Sequence, residues 1–354
     1  MAMKKFLIKI SYTVLPVWLL LVGLAAYLWW TNDNAGDLMR LGLIDSGPEY
    51  ADSIRAGALQ EMVYDGIGSD DVLRQTSCDV LVIGDSFSHG GGVGKQGDYV
   101  NYLAHDGGLN VVVFTPGDAT LDSPIQVAYD VMNLGSIDSS RVKNLVVEEV
   151  ERYIPSRHNG FVTTHEAMPL ARIENVKADG QGDDEPALET EAPGPLMRVK
   201  DFIFYHFLGA NPIYKAQLSR DLFGGKEPRR LYFYNEDVKS GIEMADEQLA
   251  RIEANYRQLI DKAREKGINL IIVIACDKYD LYQDFIQDNS YPSKRLNEDI
   301  ARRMGVDTAS FVFTKGVLHP LVERGVKDVY LFNDTHWSPS SSRIVAREVM
   351  NKLK

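Results

Sequence analysis

The chain has 354 residues, of which 45% are hydrophobic and 25% are charged, so it can bury one large core or two smaller ones. Its formal net charge at pH 7 is −12. Nucleic-acid phosphates attract basic surfaces, so this acidic chain is not expected to have a nucleic-acid partner. Its two cysteines are too few for a disulfide framework.

Residues 1–31 predict a cytoplasmic tip followed by a transmembrane anchor. Lys4, Lys5 and Lys9 precede an uncharged run that extends over residues 10–30. A run of this length crosses about 30 Å of hydrocarbon as a helix. The lysines are expected to stay in the cytoplasm, so the rest of the chain lies in the periplasm or another extracytoplasmic space. A cleaved signal peptide is the alternative, but no good small-x-small cleavage site is evident.

Residues 32–77 form a lead-in with one short predicted helix and no assigned chemistry. From residue 78 to residue 354, apolar strand-like runs alternate with amphipathic helical stretches. The predicted strands are 80–83, 110–114, 144–148, 269–275 and a last one between 306 and 313. The pattern predicts an α/β fold, a three-layer α/β/α sandwich with a mostly parallel central sheet.

Residues 155–235 interrupt this alternation as an insertion. Residues 174–195 are rich in acidic residues, glycine and proline, which predicts a mobile loop. An aromatic stretch follows at 202–208. It is either a helix packed on the core or a surface that faces the membrane or a membrane partner.

A serine follows the first predicted core strand. The segment Gly84-Asp-Ser86 places the hydroxyl just past a buried strand, where ligands bind in open α/β sheets. Far along the chain, Asp334 and His336 stand two residues apart, directly before a helix start at Ser338-Pro339. An acid, an imidazole and a serine are the components of a catalytic triad.

These two segments together resemble the SGNH/GDSL hydrolase superfamily, and the Asp-Thr-His-Trp form most resembles its polysaccharide O-acetyltransferase branch, the periplasmic alginate O-acetylation proteins. The resemblance implies that Ser86 is the nucleophile, His336 the general base and Asp334 the residue that orients the imidazole. It also implies an oxyanion hole from the backbone N–H groups of Ser86 and Gly117, although a turn glycine is an equally open interpretation of Gly117. The asparagine of the superfamily's third block is not found in this chain.

Four further residues are weaker candidates for binding substrate. Asp85 adjoins the serine, and Arg152 follows the third strand, where pairing with Glu148 or Glu149 on the surface is the expected alternative. Lys278 and Tyr282 resemble the lysine–tyrosine segment of the acetyltransferase branch. A solvated loop lysine is the simpler expectation for Lys278.

Other chemistries lack their motifs. A Walker A loop requires a glycine where His89 stands and a serine or threonine where Gln96 stands. No His-Glu-x-x-His or Cys-x-x-Cys motif is present, so neither a metal nor a cofactor is predicted. His89 is close to Ser86 in sequence, but we expect it to point away or to bind backbone.

The predicted function is therefore transfer of an acyl group, most simply acetyl, to hydroxyls of an exopolysaccharide or cell-envelope glycan. The resemblance implies a membrane-bound O-acyltransferase partner that supplies the acyl group. A glycan esterase with the same triad is the first alternative. A catalytically inactive glycan-binding subunit of a polysaccharide-modification complex is the second.

The strand order predicts two free thiols. Cys78 precedes the first core strand and Cys276 follows the fourth, so they lie at opposite edges of the sheet. In the expected order 2-1-3-4 the third strand also separates them. Their separation then exceeds the roughly 7 Å between Cα atoms that a disulfide allows.

Overall fold

The computed structural model describes residues 2–31, 36–38, 53–54, 57–68, 70–115, 123–160, 199–200, 202–208, 212–240 and 244–354. Gly117 and the acidic loop 174–195 lie outside these residues, as does most of the lead-in.

Eight strands and eleven α-helices are defined within the described residues. The strands are β1 Asp65–Ile67, β2 Cys78–Ile83, β3 Val111–Phe114, β4 Val142–Val150, β5 Ile213–Gln217, β6 Arg230–Tyr234, β7 Asn269–Ala275 and β8 Phe311–Phe313. The helices are α1 Ala2–Thr31, α2 Asp70–Leu73, α3 Tyr99–Gly107, α4 Pro124–Asn133, α5 Ile154–Gly160, α6 Asn235–Lys239, α7 Asp246–Glu265, α8 Lys278–Tyr282, α9 Leu296–Met304, α10 Thr314–Glu323 and α11 Pro339–Met350.

The central sheet has six parallel strands in the order β1-β3-β2-β4-β7-β8. For the four core strands named from the sequence, this is the predicted order 2-1-3-4. Apolar β-branched runs make β2, β3, β4 and β7 buried on both faces. The fold class predicted from the sequence is confirmed.

Two hydrophobic clusters lie on opposite faces of the sheet. Helices α3 and α11 cover one face, and α4, α7 and α9 cover the other, which gives three layers. Helix α3 begins where Asp98 accepts a hydrogen bond from the Asn101 N–H at 2.7 Å and ends before Gly108, at φ 60°. The left-handed conformation at Gly108 closes the helix, and a side chain there would be strained.

The lead-in differs from the sequence prediction. Residues 57–64 form turns rather than the predicted helix, and residues 65–67 form β1 at the edge of the sheet. The apolar spacing that indicated a helix instead buries single side chains against the core: Ile54 and Leu59 pack on the first cluster. Residues 53–54 are helical, so the helix prediction is wrong only for residues 57–64, where tertiary packing rather than local periodicity decides the turns.

The insertion contributes an antiparallel pair, β5 and β6, whose side chains join the core beside α8. The residues before it form a helical turn, Phe204–Leu208. Phe207 is 74% exposed and Leu208 is 62% exposed. The interpretation of this stretch as a helix packed on the core is wrong for these two side chains.

Helix α1 contains an apolar stretch, Lys9–Leu28, that is long enough to cross a membrane. Most of its apolar side chains are exposed rather than packed against protein. These properties are compatible with a single-pass membrane anchor.

Candidate active site

Ser86 lies on a tight turn where β2 ends. It opens a 3-10 turn, Ser86–Ser88, and its side chain is exposed to solvent. The Ser86 carbonyl accepts hydrogen bonds from the N–H of His89 at 3.2 Å and of Gly91 at 2.8 Å. The Ser86 N–H begins the turn and therefore has no partner inside it.

His336 links Ser86 to Asp334 by two short hydrogen bonds. Its Nε2 atom lies 2.7 Å from Ser86 Oγ, and its Nδ1 atom lies 2.5 Å from Asp334 Oδ1. The His336 backbone N–H also donates to Asp334 Oδ1, at 2.9 Å. This geometry fits an imidazole that accepts the serine proton at Nε2 while the carboxylate fixes the tautomer with hydrogen on Nδ1.

The electrostatics of this pair favour an imidazolium. Burial by itself would lower the pKa of His336, but the charge of Asp334 and its hydrogen bond outweigh burial and raise that pKa. Burial would raise the pKa of Asp334, but the hydrogen bonds and charge of His336 lower it. Asp334 is 1% exposed, so the ion pair that forms when His336 takes a proton is shielded from water.

A glycine loop makes this approach possible. A Cβ atom on Gly91 would lie 2.4 Å from His336 Nε2, and one on Gly92 would lie 2.8 Å from Asp334 Oδ1. The glycine run that follows Ser86 is therefore required by close packing against the imidazole and the acid, a role that the sequence analysis did not assign.

The turn that carries Ser86 rests on buried carboxyl groups. Glu148 Oε2 accepts hydrogen bonds from the Asp85 N–H at 2.9 Å and from Ser88 Oγ at 3.0 Å. Burial, and next the charge of Asp85, raise the pKa of Glu148 well above its ordinary value. The Asp85 carboxylate accepts a hydrogen bond from Arg157 at 2.9 Å. Asp85 and Glu148 thus anchor the serine turn, and Glu148 is not a surface residue.

Lys278 lies behind the loop 333–336, which carries Asp334 and His336 and is called the catalytic loop for its candidate role, and it is fully buried. Its ammonium donates to the carbonyls of Leu331, Phe332 and Asp334, at 2.6, 2.9 and 2.9 Å. Both expectations for Lys278, a solvated lysine and a substrate contact, are wrong. Its three hydrogens instead bind three carbonyls, which fixes the loop that carries Asp334.

Tyr282 is also buried, and its hydroxyl accepts a hydrogen bond from the Tyr330 N–H at 3.2 Å. It does not face solvent, so its predicted role in substrate binding is wrong. The sequence could not show which side chains of the short helix α8 are buried, because a single helical turn is too short to reveal a hydrophobic periodicity.

Arg152 does not pair with Glu148 or Glu149 on the surface. It is 8% exposed and binds Asp237 at 3.3 Å and Asp277 at 2.9 Å. Lys294 binds Asp277 from the other side. Because its guanidinium is committed to these buried carboxylates, neither surface pairing nor substrate binding describes Arg152. It holds α6, which directly follows the insertion, against the end of β7.

Aromatic rings pack around the imidazole. The Phe87 ring centroid lies 4.6 Å from that of His336 and 4.3 Å from that of Trp337. Trp337 Nε1 donates to the Tyr330 hydroxyl at 2.8 Å. These contacts limit rotation of His336.

His89, by contrast, binds the Gly84 carbonyl at 3.2 Å and does not reach Ser86, as predicted.

Asp37 was missed by the sequence analysis. It lies in the lead-in, and its backbone N–H donates to Asp334 Oδ2 at 2.8 Å. No motif surrounds it, so the sequence carries no signal for this contact. Ligand atoms of Asp37, Asp334 and His336 lie within 4.8 Å of one another, close enough to hold a cation. The hydrogen bonds among these groups and Thr335 already use these atoms, so the arrangement does not call for a metal.

Ser86, His336 and the buried Asp334 carboxylate are thus hydrogen-bonded in series at the carboxyl edge of the parallel sheet, an arrangement that can support acyl transfer. Sequence comparison adds a family resemblance. Residues 228–354 match the family model described as "SGNH hydrolase-like domain, acetyltransferase AlgX". The predicted resemblance to the polysaccharide O-acetyltransferase branch is confirmed. The matched segment contains Asp334 and His336 but not Ser86.

Among curated proteins, the chain is 29% identical over 110 residues to the probable alginate O-acetylase AlgJ of Pseudomonas fluorescens. That alignment covers 29% of this chain and 27% of the relative, so it spans well under half of either protein. No solved structure gave a significant match.

Proposed function

We propose that this protein is a membrane-anchored O-acyltransferase that moves an acetyl group to hydroxyls of an extracytoplasmic polysaccharide. The observation that carries the proposal is the hydrogen-bonded series Ser86–His336–Asp334, with the serine exposed and the acid buried. The family match and the name of the relative support the acetyl group and the glycan acceptor.

In the first half-reaction, Ser86 Oγ attacks the acyl carbonyl while its proton passes to His336 Nε2. The backbone N–H of Ser86, together with that of Gly117, would stabilise the oxyanion. The leaving group takes the proton from His336, and an acetyl–Ser86 ester remains. In the second half-reaction a sugar hydroxyl loses its proton to His336 and attacks this ester, so Ser86 is regenerated by protonation.

The short connection after α1 supports chemistry near the membrane. Five residue steps separate Thr31, the end of α1, from Gly36, which contacts the catalytic loop at Asn333. Fully extended, five steps span at most about 18 Å. If α1 crosses the bilayer, Ser86 therefore works close to the membrane surface, where a membrane-bound O-acyltransferase partner can deliver the acyl group.

The exposed aromatic turn supports the same orientation. Pro212, four residues after Leu208, accepts a hydrogen bond from Asn235 N–H, and the adjacent Tyr234 hydroxyl donates to the Asp37 carbonyl at 3.4 Å. Leu208 is only four residue steps from Pro212, so the exposed side chains of Phe207 and Leu208 stay near the part of the domain that contacts Asp37 of the lead-in. We infer that this turn faces lipid or the membrane partner rather than the glycan.

The test uses the purified full-length chain in detergent with 4-nitrophenyl acetate, with and without alginate oligosaccharide. Acetylated sugar that depends on Ser86 supports transfer. Free acetate alone, unchanged by oligosaccharide, would identify the esterase alternative. Ser86→Ala serves as the control, and a serine-reactive phosphonate reports the nucleophile directly. Absence of both turnover and Ser86-dependent labelling would leave the non-catalytic glycan-binding subunit.

A further inference from the structure

The segment directly after the membrane helix is built into the active site. The Asp37 N–H donates to Asp334 Oδ2 at 2.8 Å, and the Leu38 N–H donates to the Asn333 carbonyl at 3.2 Å. Leu38 is fully buried in the main core. These bonds join the lead-in to a loop near the other end of the sequence, so they are tertiary contacts of the catalytic loop.

The Asp37 side chain also binds the catalytic loop, as a hydrogen-bond acceptor. Its Oδ1 atom accepts the Thr335 N–H at 2.8 Å, and its Oδ2 atom accepts the Thr335 hydroxyl. Asp37 Oδ2 lies 4.0 Å from His336 Nδ1, the nitrogen that Asp334 binds. Asp37 therefore binds Asp334 and Thr335, and its carboxylate also lies close to the His336 imidazole.

Gly36 makes this docking possible. Its φ angle is +101°, and a Cβ atom at this position would lie 2.3 Å from the Asn333 carbonyl oxygen. A side chain would therefore both strain the backbone and push the segment away from the loop. The conformation of Gly36 thus allows close contact between the lead-in and the catalytic loop. A segment that only connected α1 to the domain would not need this contact.

We propose that Asp37 is a positioning residue of the active site: it fixes the loop 333–336 and places a second carboxylate beside the His336 imidazole. The inference rests on the proposed function, because it assigns Asp37 a part in the same acyl transfer. Asp334 alone orients the Nδ1 proton. Asp37 holds Asp334 and Thr335 in register and adds negative charge where the imidazolium forms.

The charges around Asp37 fix the expected pH behaviour. Burial, and next the charge of Asp334, raise the pKa of Asp37 to about 6, while His336 and Arg152 act in the opposite direction. Lys278 also lies within electrostatic range. Above pH 6 the Asp37 carboxylate is charged and favours protonated His336. Replacing it by asparagine removes this charge, so the pKa of His336 falls and the acid limb of kcat/KM moves to lower pH.

Stability should respond differently from activity. A carboxyl group whose pKa is raised on folding makes the fold less stable as pH rises between its unfolded value near 4 and about 6. Asp37→Asn removes this penalty and keeps an acceptor for the Thr335 N–H. If Asp37 were purely structural, its substitution would lower activity only as far as it lowered stability. If Asp37 is a positioning residue, its substitution lowers activity while the protein stays folded.

The experiment compares Asp37→Asn, Gly36→Ala and a matched control in the full-length protein. The control is Asp98→Asn, because Asp98 is also buried and also ties the lead-in to the domain, through the Tyr64 hydroxyl at 2.9 Å, but it bonds helix α3 instead of the catalytic loop. Melting temperature and the pH profile of kcat/KM with 4-nitrophenyl acetate are measured for each variant.

We expect Asp37→Asn to lower kcat by about 10- to 100-fold, the loss typical of outer residues that orient a functional histidine. Its acid limb should move down by roughly one pH unit, with the melting temperature nearly unchanged. Gly36→Ala should lower kcat as well. Asp98→Asn should leave the pH profile in place, whatever its melting temperature.

An Asp37→Asn profile that superimposes on the unmodified protein, with kcat within threefold, would overturn the inference while leaving the proposed function intact. Activity that falls only in proportion to the folded fraction would overturn it as well. A wild-type protein with no Ser86-dependent turnover would instead refute the proposed function, so the two failures are distinguishable.

Discussion

At the scale of single residues, the proposed reactivity of Ser86 depends on how firmly Asp334 is held beside His336. Asp334 is committed to His336 through Oδ1 and to Asp37 through Oδ2. Its carbonyl oxygen is bound by Lys278. The acid is thus fixed on three sides, and of Ser86, His336 and Asp334 only Ser86 is exposed to solvent.

Asp334→Asn should lower kcat/KM by roughly 10³- to 10⁴-fold, because the amide cannot fix the imidazole tautomer or stabilise the imidazolium. Since Asp334 raises the pKa of His336, the residual activity should also begin at lower pH. Its control is Asp106→Asn, which changes only contacts remote from Ser86, those with Arg343 and His105. Steady-state kinetics across pH would contradict the mechanism if Asp334→Asn kept its rate within threefold.

Lys278→Met should destabilise the protein by about 2–4 kcal/mol, because three buried carbonyls lose their donor together. Lys143→Met, at an exposed pair with Asp79, should change stability by no more than about 0.5 kcal/mol. Urea denaturation gives both values. Equal stabilities for the two variants would show that the ammonium does not hold the loop.

At the scale of elements, two loops from distant parts of the sequence close on each other at the carboxyl edge of the sheet. The glycine loop after β2 packs against the loop before α11, and the lead-in covers the latter from outside. Helices α3 and α11, which follow these loops, pack together in the main core. The packing of two helices thus sets the distance between Ser86 and His336.

Gly91→Ala tests this closure sterically. The added methyl group would lie within 2.7 Å of both His336 and the Ser86 carbonyl, so the imidazole must move. A displacement of this kind costs about 100-fold in rate. Gly316→Ala on α10, where a Cβ meets nothing within 4 Å, should keep full activity. Wild-type kinetics in Gly91→Ala would mean that the loops are not packed as described.

At the scale of the whole molecule, buried charges join helix α6, which follows the insertion, to the end of β7. Arg152 and Lys294 bind Asp277 after β7, and Arg152 reaches Asp237 after β6. Truncating one partner of such a network leaves an unpaired buried charge, which is strongly destabilising. The residues that directly follow the insertion are therefore fixed to the domain.

The state of the two cysteines tests the strand order of the sheet. Both are free and buried, Cys78 at the start of β2 and Cys276 after the end of β7, with β4 between these strands. Burial raises the pKa of Cys78 to about 12 and that of Cys276 further. Thiol titration of denatured, unreduced protein should find two thiols, and native protein should react slowly. An intramolecular bridge found by mass spectrometry would contradict the strand order.

The sequence by itself determined the features that depend on local pattern. Apolar runs such as 269–275 predict buried parallel strands, the uncharged run 10–30 predicts an anchor, and Ser86 and the Asp-x-His pair stand beside element ends that topology brings to one edge. Two motifs far apart along the chain suffice here, because parallel strands align their carboxyl ends.

Only the tertiary structure decided which polar side chains are buried and what they bind. Lys278, Tyr282 and Arg152 have the composition of surface residues, yet each is enclosed, and its partners come from segments that no spacing connects. Asp37 is the clearest case: it binds Thr335 and Asp334, and the neighbouring Leu38 is buried in the core. Burial and long-range pairing depend on the packing of the whole chain, and a residue's local sequence carries no record of them.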